Sequence, residues 1–225
     1  MRTADRRLVL VESVFCESKL RNTLADVLFT HYLVGSVLLA PSHLMALLPL
    51  GTDTALVVDC GYQETTVVPV YQGAPMLARA AVLPRAAAAV HRHVNHLAQT
   101  HGRVFVGAAL KPLASLTGHL APEVLEDIKV RACFAGKPPA GVKASTLPYP
   151  LPGLGSLQLE HPIRTEAYDV LFTPDEEGDS LATVILDVLK SLPVDLRTLM
   201  ASHLTLIGGT AMAPGFMHRL QQVFF

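Results

Sequence analysis

At 225 residues, half of them hydrophobic and only 16% charged, the chain has ample material for a core and room for one large or two small domains. A net charge of −1 with no basic block gives nucleic-acid binding no support, and Arg, Asp, His or Pro breaks every apolar segment before the roughly 20 residues that a membrane span needs. Cys16, Cys60 and Cys133 are odd in number and far apart, which reads as reduced thiols of a cytosolic protein and not a disulfide frame; the charged start, followed by a short apolar run, does not read as a secretory signal.

In chain order, residues 6–12 read as a buried strand. Ser18 suits the N-cap of a helix running to about Tyr32, with Leu20, Leu24, Val27 and Leu28 on one face. A further apolar strand is expected over 35–39. Pro41 suits the first turn of a helix through Leu44, Met45, Leu47 and Leu48, ended by Pro49 and Gly51. This β-α-β-α order is an α/β pattern. The densest signal follows at 56–71. An apolar strand from Ala55 to Val58 is interrupted by Asp59-Cys60-Gly61, and a β-branched strand from Thr65 to Val70 is closed by the turn at Gln72-Gly73. Such a hairpin presents backbone N–H groups and one carboxylate at its tip.

Beyond it, 75–83 reads as extended, and 86–97 as a helix with Val90, Val94 and Leu97 on one face. Pro122, with Glu123, Glu126 and Asp127 behind it, marks a helix to about Phe134. From 136 to 155 Pro and Gly are dense, so a surface loop is expected, with a hairpin ending at Leu157-Gln158-Leu159. Residues 162–172 read as a helix and 175–179 as a solvated acidic loop. Ser180 caps a helix with the stripe Leu181, Val184, Ile185, Val188 and Leu192. A short helix at 194–201, a strand at 203–207 and the turn Gly208-Gly209-Thr210 lead into a last helix near Pro214. Two glycines before a helix let a backbone approach a ligand, and a helix N-terminus favours anions. By itself that signal is weak, since many strand-Gly-Gly-helix turns are only turns. His91, His93 and His96 invite a metal reading. Only His93 and His96 share a helix face, and no carboxylate or Cys accompanies them nearby, so an exposed polar face is expected instead. No nucleophile-elbow, Walker or zinc spacing occurs.

Three of these segments, in this order, resemble the actin family. The stretch Val58-Asp59-Cys60-Gly61 through Val68-Pro69-Val70-Tyr71-Gln72-Gly73 is similar to actin's second phosphate hairpin. Glu126-Asp127-Ile128-Lys129-Val130-Arg131-Ala132-Cys133-Phe134 is similar to a helix touching the adenosine. Ile207-Gly208-Gly209-Thr210-Ala211-Met212-Ala213-Pro214-Gly215 is similar to the adenine-side turn. The resemblance extends from about residue 6 to residue 220 and weakens between 97 and 162. Val11-Glu12-Ser13-Val14, residues 40–48 and Val124-Leu125-Glu126-Asp127-Ile128-Lys129 look most like the divergent actin-related branch at the pointed end of dynactin.

The resemblance implies an α/β, actin-like fold of the actin and hexokinase ATPase type, incomplete at both ends. It implies a remnant of a first large domain at 1–50, a second large domain at 51–86 and 170–225, and an inserted small lobe at 87–169. It implies ATP or ADP with Mg as cofactor, and nucleotide-binding residues Asp59, Gly61, Lys129, Gly208, Gly209 and Thr210. The family's second Asp and second Gly at the hairpin tip are Tyr62 and Gln63 here. Ser42 and Thr66 stand where the family has the Gln and His that place water, Val130 replaces the Glu after the helix Lys, and Ala213 replaces the Tyr of the adenine turn. Parts for binding are kept and parts for hydrolysis are missing. The expected function is a non-catalytic cytoplasmic, cytoskeletal subunit of dynactin that caps the pointed end of its filament and supports dynein-driven microtubule-based transport. Its expected partners are other dynactin subunits, including an actin-like filament subunit and pointed-end subunits, with no nucleic acid and no membrane span. The alternatives are an actin-type ATPase whose nucleotide state drives filament assembly, and an α/β scaffold that binds no nucleotide.

Overall fold

The computed structural model describes residues 6–136 and 146–224. The Pro- and Gly-rich loop expected over 136–155 thus lies partly, at 137–145, outside the described residues, as do the first five positions. The strands are β1 (Arg7–Glu12), β2 (Ser36–Pro41), β3 (Ala55–Cys60), β4 (Thr65–Tyr71), β5 (Ala74–Pro75), β6 (Ala81–Leu83), β7 (Arg103–Val106), β8 (Ala109–Pro112), β9 (Leu147–Leu151), β10 (Gly155–Leu159) and β11 (Leu204–Ile207). The α-helices are α1 (Ser18–Thr30), α2 (Ser42–Met45), α3 (Ala87–His101), α4 (Pro122–Ala132), α5 (His161–Thr165), α6 (Asp169–Phe172), α7 (Leu181–Ser191), α8 (Val194–Ser202) and α9 (Phe216–Phe224). The chain divides into two compact units.

The first unit comprises Met1–Val58, Val67–Ala80 and Val188–Thr205. Here β1 and β2 run parallel, with Val9 opposite Leu38 and Leu10 opposite Leu39, and α1 is the crossover between them. The strand at 6–12 is present, but it is not buried as expected. Val9 is 58% exposed and Leu38, opposite it, 61%. Parallel strands normally have both faces covered. This pair is open on one, since Val9 and Val11 of β1 and Leu38 of β2 are all more than half exposed. Ser18 is the first helical residue instead of the cap: Glu17 holds the N-cap place without a side-chain bond. The helix expected at 41–48 stops at Met45, and a 3₁₀ turn at Leu48–Leu50 carries Pro49. Pro49 has no N–H to extend an α-helix, and Gly51 closes the turn at φ 64°, a left-handed conformation that suits Gly.

Ala55–Val58 and Val67–Tyr71 of this unit belong to a five-stranded sheet in the order β11-β3-β4-β5, with β6 also paired to β4. Ala55, Leu56, Val57 and Val58 of β3 and Val67, Val68 and Val70 of β4 are all completely buried. A strand covered on both faces has no solvent side, which accounts for unbroken apolar runs where alternation would otherwise appear. The Leu56 N–H donates to the His203 carbonyl at 3.0 Å. Gln72 and Gly73, with φ of 49° and 75°, form the two-residue turn that pairs Tyr71 with Ala74.

The second unit comprises Asp59–Thr66, Ala81–Asp187 and Leu206–Phe225. Asp59-Cys60-Gly61 does not interrupt the strand as expected. β3 continues through the buried Cys60, and the reversal falls at 61–64, closed by the Gly61 N–H on the Glu64 carbonyl at 3.2 Å. α3 buries Val90, Val94 and Leu97 on its expected face and packs on α4, α5 and α6. The single helix expected at 162–172 is two short ones. At the break, Tyr168 is buried and meets Phe216 edge-on at 6.4 Å between ring centres, and that burial decides the local path. A four-stranded antiparallel sheet, β8-β7-β10-β9, includes the hairpin expected to end at Leu159. Pro148 and Pro150 sit on its edge strand β9, where a missing N–H is tolerated and further strand pairing is discouraged.

Ser180 caps α7 as expected. The Thr183 N–H donates to Ser180 Oγ at 3.2 Å and the Ser180 N–H to Thr183 Oγ1 at 2.7 Å, a reciprocal box with Thr in the usual place of Glu. The acidic loop is not simply solvated. Arg85 pairs with Asp175 at 3.2 Å, and its guanidinium donates to the carbonyls of Val170, Thr173 and Asp179. Among the described residues no helix is long and apolar enough to cross a membrane.

The exposed Val9–Leu38 pair should drive association of the isolated chain, because a strand edge and an apolar face stand open together. Replacing both by Thr is expected to shift sedimentation velocity profiles toward the monomer and to change thermal stability by less than about 1 kcal/mol. A sharp monomeric peak for the unsubstituted chain would contradict this.

Candidate functional site

All six sequence-predicted site residues lie in the second unit, in two groups. The first group is a knot of backbone. Gly208 ends β11 with φ 91°, and a Cβ there would collide with the Cys60 carbonyl and stand 2.9 Å from Asp59 Oδ1. Only Gly lets the turn come this close to the hairpin. Thr210, buried, donates through Oγ1 to the Gly61 carbonyl at 3.2 Å. That carbonyl also accepts the Ala87 N–H at 3.2 Å, and the Tyr62 carbonyl accepts the Ala88 N–H at 2.8 Å. The hairpin tip therefore caps α3, whose first N–H groups would otherwise lack partners. Asp59, Gly61, Gly208 and Thr210 are thus brought together. Gly209 begins a 3₁₀ turn, with nothing within 4 Å of where its Cβ would be.

The second group is built around Lys129. Its side chain is 6% exposed, its ammonium donates to Glu126 Oε2 at 2.6 Å, and the same oxygen is 2.7 Å from His91 Nε2. The helical spacing of three residues puts Glu126 and Lys129 on neighbouring positions of α4. His91 comes from α3, and the exposed Tyr62 ring meets it edge-on at 5.8 Å. Burial alone would raise the Glu126 carboxyl, but the hydrogen bond and charge of Lys129, helped by His91, outweigh it and leave it lowered. Burial, followed by the Lys129 charge, lowers the His91 imidazole against the opposing pull of Glu126. Two adjoining cavities of about 590 and about 500 Å³ share Tyr62, His91 and Pro122 in their walls, and Glu126 lines the larger.

Sequence reasoning named Lys129 and missed the other two members of the cluster, Glu126 and His91. Glu126 could have been found from its spacing. His91 could not, because it is 35 residues away and only the packing of α3 on α4 joins them. His93 and His96 stack at 6.5 Å, and among the described residues no group of His, Cys, Asp or Glu could hold a metal ion. Cys16, Cys60 and Cys133 are free. Burial pushes the Cys60 and Cys133 thiols up to about 12, so neither is a nucleophile at neutral pH.

The sequence model of the family described as Actin matches residues 1–223, and the chain belongs to the actin family. It is 26% identical over 230 residues to the protein named Actin-related protein 2 of Saccharomyces cerevisiae, covering 98% of this chain and 56% of that one. It is 24% identical over 249 residues to Actin-related protein 10 of Dictyostelium discoideum, covering 96% and 52%. It is 26% identical over 234 residues to Actin-related protein 2 of Arabidopsis thaliana, covering 97% and 56%. The chain spans about half the length of these relatives. The actin-like fold expected from the three motifs is thereby established.

Gly208→Ala is expected to cost roughly 2–4 kcal/mol, since it combines a positive φ with a backbone collision. Thr210→Val should cost about 1 kcal/mol for one lost hydrogen bond. Chemical denaturation would rank the two.

The His91 shift also predicts a pH dependence. Its folded-state value lies below the ordinary 6.5, so the unfolded chain takes up a proton first. The stability of the neutral form is present above pH 6.5 and declines as pH falls toward the folded value. Glu126, lowered from 4.5, adds a further loss of the same sign at lower pH. Thermal melts between about pH 7.5 and about pH 5.5 should show a decline that His91→Gln reduces.

Proposed function

We propose that this chain is a non-catalytic, actin-related structural subunit acting in the cytoplasmic cytoskeleton, and that its full-length form caps the pointed end of the dynactin filament in support of dynein-driven transport. The observation that carries the non-catalytic part is the internal use of the phosphate-site donors. Thr210 Oγ1 donates to Gly61, the Gly61 N–H to Glu64 and the Lys129 ammonium to Glu126. Members of the actin family generally bind a nucleotide with a divalent metal ion. In this chain the residues suited to such a group are Asp59, Gly61, Lys129, Gly208, Gly209 and Thr210, and three of them already bond to protein. That donor set fits a nucleotide poorly. Hydrolysis further needs a placed water and preorganised groups at the γ-phosphate, where the resemblance puts Ser42 and Thr66.

The dynactin assignment is supported by the segments at 11–14, 40–48 and 124–129, which resemble the pointed-end branch. Under this reading 1–50 belongs to the first large domain, 51–86 and 170–225 to the second, and 87–169 is the inserted lobe. One preserved face and one altered face would stop a head-to-tail filament, because propagation needs both.

With ATP and magnesium, turnover is expected to stay at background and to be unchanged by Asp59→Ala. Steady turnover abolished by that substitution would support the ATPase reading instead. Cross-linking of the full-length form from cells should place one copy per dynactin complex, with links from 87–169 to subunits other than actin-like ones. Self-polymerisation, or many copies along the filament, would overturn the capping role.

A further inference from the structure

The ion pair on α4 differs from an ordinary surface pair in one respect: its two ends have different access to solvent. Lys129 is 6% exposed on its side chain and His91 8%, whereas Glu126 is 49% exposed. The cation is fixed in the wall of the unit, and the carboxylate lies over it from the side of a cavity of about 590 Å³. One oxygen of that carboxylate, Oε2, accepts from both Lys129 Nζ and His91 Nε2. An anion entering from the cavity would meet the same two donors at the same place. Tyr62, whose ring meets His91 edge-on at 5.8 Å, lines the same cavity. Of the other charged groups on this wall, Asp127 is held by Arg131 at 2.7 Å and by the Tyr149 hydroxyl at 2.9 Å. Glu123 adds negative charge at the rim.

We propose that Glu126 is the built-in occupant of an anion site whose base is the Lys129 ammonium and whose wall is the His91 imidazole. The site is self-closed: it accepts a carboxylate or phosphate from outside only when the Glu126 side chain is removed or swings into solvent. The exposure of Glu126 makes that swing sterically open. The cost of leaving Lys129 buried without a counter-charge keeps the site shut in the absence of a competing anion. The chemistry that recognises the ligand is a small oxyanion. A side-chain carboxylate of a partner and a free phosphate share it.

The test is rescue of the full chain by added anions. Glu126→Ala opens a space the size of a carboxylate and is expected to lower Tm by roughly 5–10 °C. Sodium acetate should restore most of that loss, and sodium chloride at the same ionic strength should not. Rescue by phosphate alone would mark the site as one for phosphate, and rescue by acetate alone as one for carboxylates. Glu126→Ala combined with Lys129→Met should abolish anion-specific rescue. Equal effects of acetate, phosphate and chloride, or undiminished rescue in the double variant, would overturn the proposal. Should Glu126→Ala not fold, Glu126→Gln carries the test, since Gln keeps the shape and leaves the Lys129 charge uncompensated. Inorganic phosphate is then expected to shift the His91 ring resonances in the Gln variant and not in the unsubstituted chain. The same response in both, or in neither, would overturn the proposal.

Discussion

The backbone of Gly208 lies against the carbonyl of Cys60, and the second unit depends on that approach. A side chain at 208 would force the turn off the hairpin. The Thr210 hydroxyl would then lose the Gly61 carbonyl, and the hairpin tip would no longer be fixed where it caps α3. One missing Cβ therefore positions three elements that are distant in sequence. The energy involved is not large per bond, about 1 kcal/mol for each hydrogen bond. The geometry is demanding because a positive φ and a close approach are required at the same residue.

Charge in the second unit follows burial. The Lys129 side chain is almost wholly buried, so its charge needs a partner, and Glu126 meets that need while the same oxygen also accepts from His91. The opposed shifts on Glu126 and His91 are consequences of that arrangement. Arg85 does comparable work elsewhere, drawing the carbonyls at 170, 173 and 179 together and holding an acidic turn that would otherwise repel itself. Lys129 binds a helical neighbour, whereas Arg85 binds groups that local sequence does not place beside it.

The first unit contrasts two uses of the same residue types. β1 and β3 are both rich in Val and Leu, yet β3 is completely covered over Ala55–Val58 while Val9 and Val11 of β1 are more than half exposed. Composition does not distinguish them. Their surroundings differ: β3 lies between β11 and β4 and is covered on both faces, whereas among the described residues β1 pairs with β2 alone and keeps one face open. An apolar strand face on which nothing packs stays open for something else to cover.

By itself the sequence determined the α/β order, the hairpin at 55–71, the apolar stripes of α3 and α7, the Ser180 cap and the three motifs that place the chain in the actin family. These features are local or periodic, and periodicity survives in a string of letters. It also singled out Asp59, Gly61, Gly208 and Thr210, which the fold brings together. The tertiary structure alone decided that β3 continues through Cys60, that the helix expected at 162–172 breaks beside the buried Tyr168, that β1 is half exposed, and that His91 joins Lys129 on the Glu126 carboxylate. The reason is the same in each case. Burial and charge pairing depend on what packs from far along the chain, and His91 and Glu126, 35 residues apart, meet only because α3 lies on α4.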